Sequence, residues 1–329
     1  MAVYTHLGGE DMAALIAAYD VGTLISAKGI AEGVSNSNWL IDTTGPAGGA
    51  TTRYILTMYE FRIDLDDLPY FLSLLDHLAA HGCPVPRTIH DRDGALYRRI
   101  TSAHGHEKAV ALIEFLPGVS VSAPTPAQAR AVGTELARLH LAAADFHATR
   151  ANAMALAEWH RLAQACGRAG LAAIDPALAE LVAHDLPRIA QGWPAHLPTG
   201  VIHADLFPDN VLVLGDAITG LIDFYFACND VIAYDLAITH LAWCWDERDG
   251  TFRADLSRAL IDGYGTLRPL LPDERDALSL LAQGAAMRFL LSRAYDWLNT
   301  PKDALVTPKD PRPMGERLHF YRDNPGIFA

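Results

Sequence analysis

At 329 residues, half of them hydrophobic and 20% charged, the chain is long enough for about two domains and too apolar to be disordered. A formal net charge of −13 disfavours bulk nucleic-acid binding, which needs basic surface to neutralise phosphates. No charge-free apolar run reaches roughly 18 residues, no basic-then-apolar leader opens the chain, and Cys83, Cys166, Cys228 and Cys244 form no CxxC pair. A membrane span, a signal peptide, a zinc site and a disulfide framework are therefore not expected, and a reducing cytoplasm is the simplest setting.

In chain order, residues 1–116 read as mixed α/β. Residues 11–20 carry a short helical pattern. TLISAKGIAEG (23–33) and SNSNWLID (35–42) read as two strands around a turn at Gly33. PAGGATT (46–52) is a loop by its glycines and small polar residues, and RYILTMYEF (53–61) is a strand by its β-branched and aromatic content. LDDLPYFLSLLDHLAAHG (65–82) has apolar residues at helical spacing and ends on a glycine suited to a C-cap. ALYRRI and AVALIEFLPG (109–118) supply two more strands. The sum is a small antiparallel sheet with one long helix inserted.

After Gly118 the character changes. Thr125, Pro126 and Gln128 form a capping box with proline at the first helical position, and Asp175-Pro176 repeats the cap-then-proline pattern. The C-terminal third is mostly helical, with DERDALSLLAQGAAMRFLLSRAYDWL the strongest run. Between the helices sit two short apolar strands, VLVL (211–214) and GLIDF (220–224). The boundary falls near 116–119, giving domains 1–116 and 117–329, and no internal repeat or low-complexity tract is present.

VIHADLFPDNVLV (201–213) places His203, Asp205, Asp209 and Asn210 inside what is otherwise buried strand. VLVLGDAITGLIDF reads as a hairpin, and a hairpin brings the entry of its first strand to the exit of its second. Asn210 and Asp223, 13 positions apart, then meet at one end of the sheet. A carboxylate and an amide oxygen make a hard oxygen site suited to Mg²⁺ carrying nucleotide phosphates. Asp205 would lie beside them, placed to accept a proton from a hydroxyl. Taken singly, FPDN is an ordinary turn, Asp223 a cap and His203 a packed histidine. The joint pattern favours a site, with His203 in a supporting role.

HADLFPDN together with LIDF resembles the catalytic and metal loops of the aminoglycoside-phosphotransferase-like kinases, small-molecule relatives of the protein kinases. The resemblance runs over nearly the whole chain. It implies an α+β, bilobal, protein-kinase-like fold: a nucleotide-binding sheet lobe over 1–116 and a mainly helical lobe over 117–329 carrying the catalytic loop, metal site and substrate pocket. It also implies ATP and Mg²⁺ as cofactors, Asp205 as base, Asn210 and Asp223 as magnesium ligands, and Asp235 of AYDLAIT (233–239) as anchor of the catalytic loop. AVALIEFLPG is similar to the family's hinge, where backbone groups of Glu114, Phe115 and Leu116 would bind adenine. GIAEGVSNSN (29–38) stands where the phosphate loop belongs, with Gly33, Ser35 and Asn36 as candidates, although it lacks GxGxxG and by itself reads as a polar hairpin.

One departure is specific. The third strand, YILTMYE, holds Thr57 where such kinases usually carry a lysine, and no lysine lies between Lys28 and Lys108. Arg53 and Arg62 are nearby cations without a clear register. This threonine, GVSNSNWLI, HLAAHGCPVP, AMRFLLSRAYDW (286–297) and TPKDP (307–311) resemble the bacterial homoserine kinases of the phosphotransferase-like type. That resemblance implies phosphoryl transfer from Mg-ATP to the hydroxyl of L-homoserine, in threonine biosynthesis. A zwitterionic substrate needs a cation for its carboxylate and an anion for its ammonium. Arg288 and Arg293 are candidates for the first, and Asp209, Asp230 and Asp246 for the second; the alternative for both arginines is pairing with acids of the same lobe. Trp243 and Trp245 of HLAWCWD (240–246) either wall the pocket or pack in the core. Competing readings are a kinase for choline, ethanolamine or an aminoglycoside, a non-catalytic nucleotide sensor, and a metal hydrolase using His203 and Asp205; the oligomeric state is not legible.

Overall fold

The computed structural model describes residues 7–30, 36–60, 64–101, 107–301 and 307–328. Two compact units divide the chain, Met1–Gly118 and Val119–Ala329.

In the first unit, helix α1 (Gly9–Ile16) precedes strands β1 (Leu24–Ile30), β2 (Asn36–Thr43) and β3 (Thr52–Tyr59). Helix α2 (Leu68–Ala80) follows, then β4 (Thr88–Ile89), β5 (Arg98–Thr101) and β6 (Glu107–Glu114). The strands form one antiparallel sheet in the order β1-β2-β3-β6-β4, with β5 also paired to β6. Alternation along the strands puts Trp39, Ile41, Leu56 and Met58 into a core shared with Leu15 and Ile16 of α1. Helix α2 ends where Gly82 takes the left-handed conformation (φ 77°), the C-cap its position suggests. Strand β4 is not legible in the sequence, because two residues are too few for a period-two pattern and only pairing with β6 defines them.

The second unit opens with β7 (Val119–Ser120) and the helices α3 (Pro126–Ala142), α4 (Leu156–Ile174) and α5 (Pro176–Gly192). Both expected caps form: Thr125 and Gln128 bond reciprocally, and Asp175 Oδ1 accepts from Ala177 N at 2.8 Å. Strands β8 (Thr199–Ile202), β9 (Val211–Leu214), β10 (Ala217–Leu221) and β11 (Cys228–Val231) follow, then helices α6 (Ile232–Trp243), α7 (Ala254–Gly265), α8 (Pro272–Asn299) and α9 (Arg312–Asp323). The strands make two small antiparallel sheets, β10-β9-β7 and β11-β8. Helix α6 is apolar nearly all round and buried from Ala233 to Trp243, so it forms the centre of this unit, packed against α8. Helices α3 and α7 meet backbone to backbone: a Cβ on Gly263 would stand 2.0 Å from the carbonyl oxygen of Arg130. Among the described residues no helix is long and apolar enough to cross a membrane.

Candidate active site

The stretch 203–210 leaves β8, and its shape is set by Asp235 from the first turn of α6. Asp235 accepts from the backbone N–H groups of His203 and Ala204, both at 2.7 Å, and from His140 Nε2 at 3.0 Å. All three residues are buried. Burial works to raise the Asp235 carboxyl, but the bond from His140 and the two amides outweigh it and hold it below the usual range. His203 is fully buried and neutral, its pKa lowered chiefly by burial. Its Nε2–H donates to the Ile222 carbonyl at 3.0 Å, leaving Nδ1 to accept from Asp205 N at 3.3 Å. With both ring nitrogens engaged, His203 braces the loop. His140, on α3, has no visible signal in the sequence: its partners Asp235 and Tyr264 lie 95 and 124 positions away.

Hairpin β9–β10, turning at Gly215 (φ 63°), performs the expected juxtaposition. Ile222 N donates to the Asn210 carbonyl at 3.0 Å, setting Asp223 immediately beside Asn210. Strand β10 ends at Leu221, so Asp223 sits beyond the strand, in a left-handed conformation (φ 65°). Asn210 Nδ2 donates to the Asp205 carbonyl at 2.8 Å and to Asp205 Oδ2 at 3.3 Å, which leaves its amide oxygen directed away from Asp205. Surrounding protein makes ionisation costly, pushing Asp205 up to about 7; Asp223 and Asp209 add repulsion, and Arg288 opposes it. Asp223 is raised to about 6, by burial first and then by the Asp209 charge. Acids crowded so that each resists ionising, beside an amide oxygen, are a donor set that fits a hard divalent cation.

The other expected residues fall in several places. Gly33, Ser35 and Arg62 lie outside the described residues. Asn36 is buried at the start of β2 and its amide oxygen has no partner. Thr57 does occupy the third strand, opposite Asn38, and donates to Asn38 Oδ1 at 2.8 Å. In the same unit Lys108 is buried and pairs with Glu60 at 2.9 Å. The Glu114 amide is bonded to the Arg87 carbonyl at 2.9 Å, so that N–H is not open to a ligand, while Phe115 lies under the Arg53 guanidinium and Leu116 follows in irregular chain.

Six substrate expectations are corrected or sharpened within the second unit. Trp243 is fully buried and donates its indole N–H to the Leu206 carbonyl at 3.0 Å, so it props the loop rather than walling a pocket. Trp245 is likewise core, packed on Phe252 and Phe320. Arg288 is 1% exposed, with Nη1 on the Ala204 carbonyl at 2.5 Å and its guanidinium over the rings of Phe289 and Phe226. It supports the loop and is too enclosed to meet a substrate carboxylate. Asp230 stands opposite Gly200 on the β8–β11 ribbon, engaged by Asn152 Nδ2 at 2.6 Å and Val231 N at 2.7 Å, and lines a cavity with Trp159, Trp193 and Tyr234. Asp246 is occupied by Arg248. Asp209 is exposed on the loop, 3.5 Å from Lys309 Nζ.

Comparison with known proteins bears on the family and the fold. A profile described as the phosphotransferase enzyme family matches residues 26–270. A homoserine kinase of Azorhizobium caulinodans is 48% identical over 322 residues, 98% of this chain and 96% of that protein. One of Zymomonas mobilis is 47% identical over 324 residues, 98% of each chain. Among solved structures, the amicoumacin kinase hAmiN, in complex with AMP-PNP, Ca²⁺ and its ligand, aligns with a TM-score of 0.69 at 16% identity, covering 97% of this chain and 93% of that one. A choline kinase of Cryptosporidium parvum aligns with a TM-score of 0.61 at 14% identity, over 91% and 88%. At such identities these two speak to the fold, which is protein-kinase-like and α+β.

Proposed function

The chain belongs to the phosphotransferase enzyme family, and from that premise we propose that it is an ATP-dependent homoserine kinase in which Asp205, Asn210 and Asp223 carry the chemistry. It is a small-molecule phosphotransferase, with relatives close to 48% identical over nearly its whole length that are homoserine kinases. The observation supporting the assignment of roles is the Ile222–Asn210 backbone bond, which gathers the three side chains at one hairpin end.

Asp205 orients the substrate hydroxyl and accepts its proton as the oxygen attacks the γ-phosphorus. A bond forms from the hydroxyl oxygen to phosphorus, the β–γ bridging bond breaks, and ADP leaves with that oxygen. Asn210 and Asp223 would hold Mg²⁺, which when bound offsets charge on the phosphates. Asn210 also fixes the Asp205 carboxylate through its Nδ2. His203, His140 and Asp235 keep the loop in shape without touching substrate. Adenine recognition falls to the remaining backbone groups of Glu114, Phe115 and Leu116, and Asn36 is a candidate for phosphate binding. A cytoplasmic setting belongs to the same reading.

The test is an ADP-release assay with L-homoserine beside choline, ethanolamine and an aminoglycoside. Homoserine should be turned over with by far the highest kcat/KM. Preferred turnover of any of the other alcohols would reject the substrate while leaving the kinase chemistry standing.

A further inference from the structure

Arg293 lies one turn beyond Phe289 on α8, on the same helix face. The Phe289 ring meets Phe207 edge-on at 4.9 Å, so this face rests against the catalytic loop. Arg293 is half-buried, and among the described residues its guanidinium makes one hydrogen bond, from Nη1 to the Asp310 carbonyl at 3.3 Å. No carboxylate of those residues stands within ion-pair distance of it. Glu247, whose charge reaches it, is paired with Arg317 at 2.6 Å. Burial, followed by repulsion from Arg317, works against its charge, while Glu247, Asp205 and Asp209 favour it.

The residue before Asp310 completes the arrangement. Lys309 Nζ is 3.5 Å from Asp209 Oδ2 and 5.7 Å from the centre of the Phe207 ring. The segment 307–311 thus carries one cation to the loop and fixes another through its backbone. A half-buried guanidinium without a carboxylate partner is costly to keep, and it becomes favourable when a planar anion supplies the missing bonds. Arg288, also on α8, leaves its Nε without a partner, but at 1% exposure it is enclosed by the Ala204 carbonyl and two aromatic rings and shut away from a ligand.

We propose that Arg293, with Lys309 at its rim, binds the α-carboxylate of the amino-acid substrate and so separates homoserine from amino alcohols that lack a carboxylate. This rests on the homoserine kinase reading above. The hydroxyl must reach Asp205, and because the Asp205 and Asp209 charges act on Arg293, a carboxylate three carbons along the substrate has the guanidinium within its reach. The guanidinium fork suits two carboxylate oxygens; the ammonium of Lys309, 64% exposed, adds a weaker and more screened attraction.

The experiment compares kcat/KM for L-homoserine and for 3-aminopropan-1-ol, its analogue without the carboxylate, in wild type, R293M, R293K and K309Q. Wild type should prefer homoserine by about 100-fold or more, and R293M should lower that ratio by about 100-fold, mainly through KM for homoserine. R293K should fall between, since it keeps charge without the fork, and K309Q should change the ratio by less than about tenfold. Thermal melting and Mg-ATP affinity report whether each variant is folded; if R293M is not, the ratio is read from R293K. A folded Arg293 variant with the wild-type ratio overturns the role of Arg293 alone. Equal use of both alcohols by wild type overturns carboxylate recognition, and failure to phosphorylate homoserine at all overturns the underlying reading with it.

Discussion

Arg288 donates from Nη1 to the carbonyl of Ala204 at 2.5 Å, and Ala204 is one of two non-glycine residues in the described chain with positive φ, at 63°. Asp235 holds the same residue by its N–H. A left-handed alanine costs on the order of 1–2 kcal/mol, and it is clamped at both ends directly before Asp205. The second positive φ belongs to Asp223, so both backbone departures lie at the proposed metal and base positions.

That clamp gives the first prediction. R288M should lower kcat by about 10- to 100-fold, because a small misplacement of Asp205 is enough to lose alignment. Stability should fall as well, since the Ala204 carbonyl loses a charged donor. Steady-state kinetics with thermal melting separates the two effects. An unchanged kcat in a folded R288M would show that the loop holds its shape without the arginine.

Replacing the proposed base directly should cost more. D205N is expected to reduce kcat by about 10²–10⁴-fold while Mg-ATP still binds with near wild-type affinity. D223A should instead weaken magnesium-dependent nucleotide binding, measurable by calorimetry with and without the ion. Turnover near wild type in D205N would sink its assignment as base.

The pH profile follows from the crowding of these acids. Asp205 must be ionised to accept a proton, and it is pushed up to about 7, so kcat/KM should fall as pH drops through that value. Because Asp205 and Asp223 repel each other, the acid limb reports the pair rather than either residue. Removing Arg288, which lowers the Asp205 pKa, should move the limb to higher pH in R288M. A flat profile between pH 5.5 and 8, as rough bounds, would count against this assignment.

The sequence carried the parts of the site that are local. The capping box, the β9–β10 hairpin and the meeting of Asn210 with Asp223 all depend on spacings of a few to 13 residues, which leave a pattern. The loop's supports do not. Asp235 to His140 spans 95 positions, Ala204 to Arg288 spans 84, and Leu206 to Trp243 spans 37. Nothing in a one-dimensional pattern distinguishes an arginine that props a loop from one that awaits a carboxylate. For the same reason Trp243 and Arg288, expected in the substrate pocket, take other places once the chain is folded.

The α3–α7 contact should be intolerant of a single methyl group. A Cβ on Gly263 would meet the Arg130 carbonyl at 2.0 Å and one on Gly133 the Leu260 carbonyl at 2.2 Å, both backbone atoms that cannot rotate away. G263A should therefore destabilise by about 1–3 kcal/mol or more, read as a lower midpoint in urea. Since α3 also carries His140 to Asp235, the variant should lose activity at temperatures below its own unfolding. A G263A protein as stable as wild type would mean that the helices part without penalty.

His240 provides a test of stability against pH that is independent of catalysis. It is fully buried on α6 with Nδ1 bonded to the Tyr321 hydroxyl at 2.7 Å and Nε2 to Ser257 Oγ at 2.8 Å. Burial lowers its pKa from 6.5 to about 3. As pH falls below 6.5 the unfolded chain binds a proton there that the folded chain refuses, so this residue's contribution to stability is lost progressively down towards about 3. The slope is about 1.4 kcal/mol per pH unit once linkage is complete. Asp205 and Asp223, raised in the folded state, act in the opposite direction over part of the same range, so the wild-type curve alone mixes the two. H240N, which cannot titrate, isolates the term: it should be less stable than wild type at pH 8 through lost packing, and the gap should narrow as pH falls to 5. Urea unfolding of both proteins at pH 8, 6.5 and 5 measures the gap directly, and a gap that stays constant would show that His240 takes up its proton in the folded chain as readily as in the unfolded one.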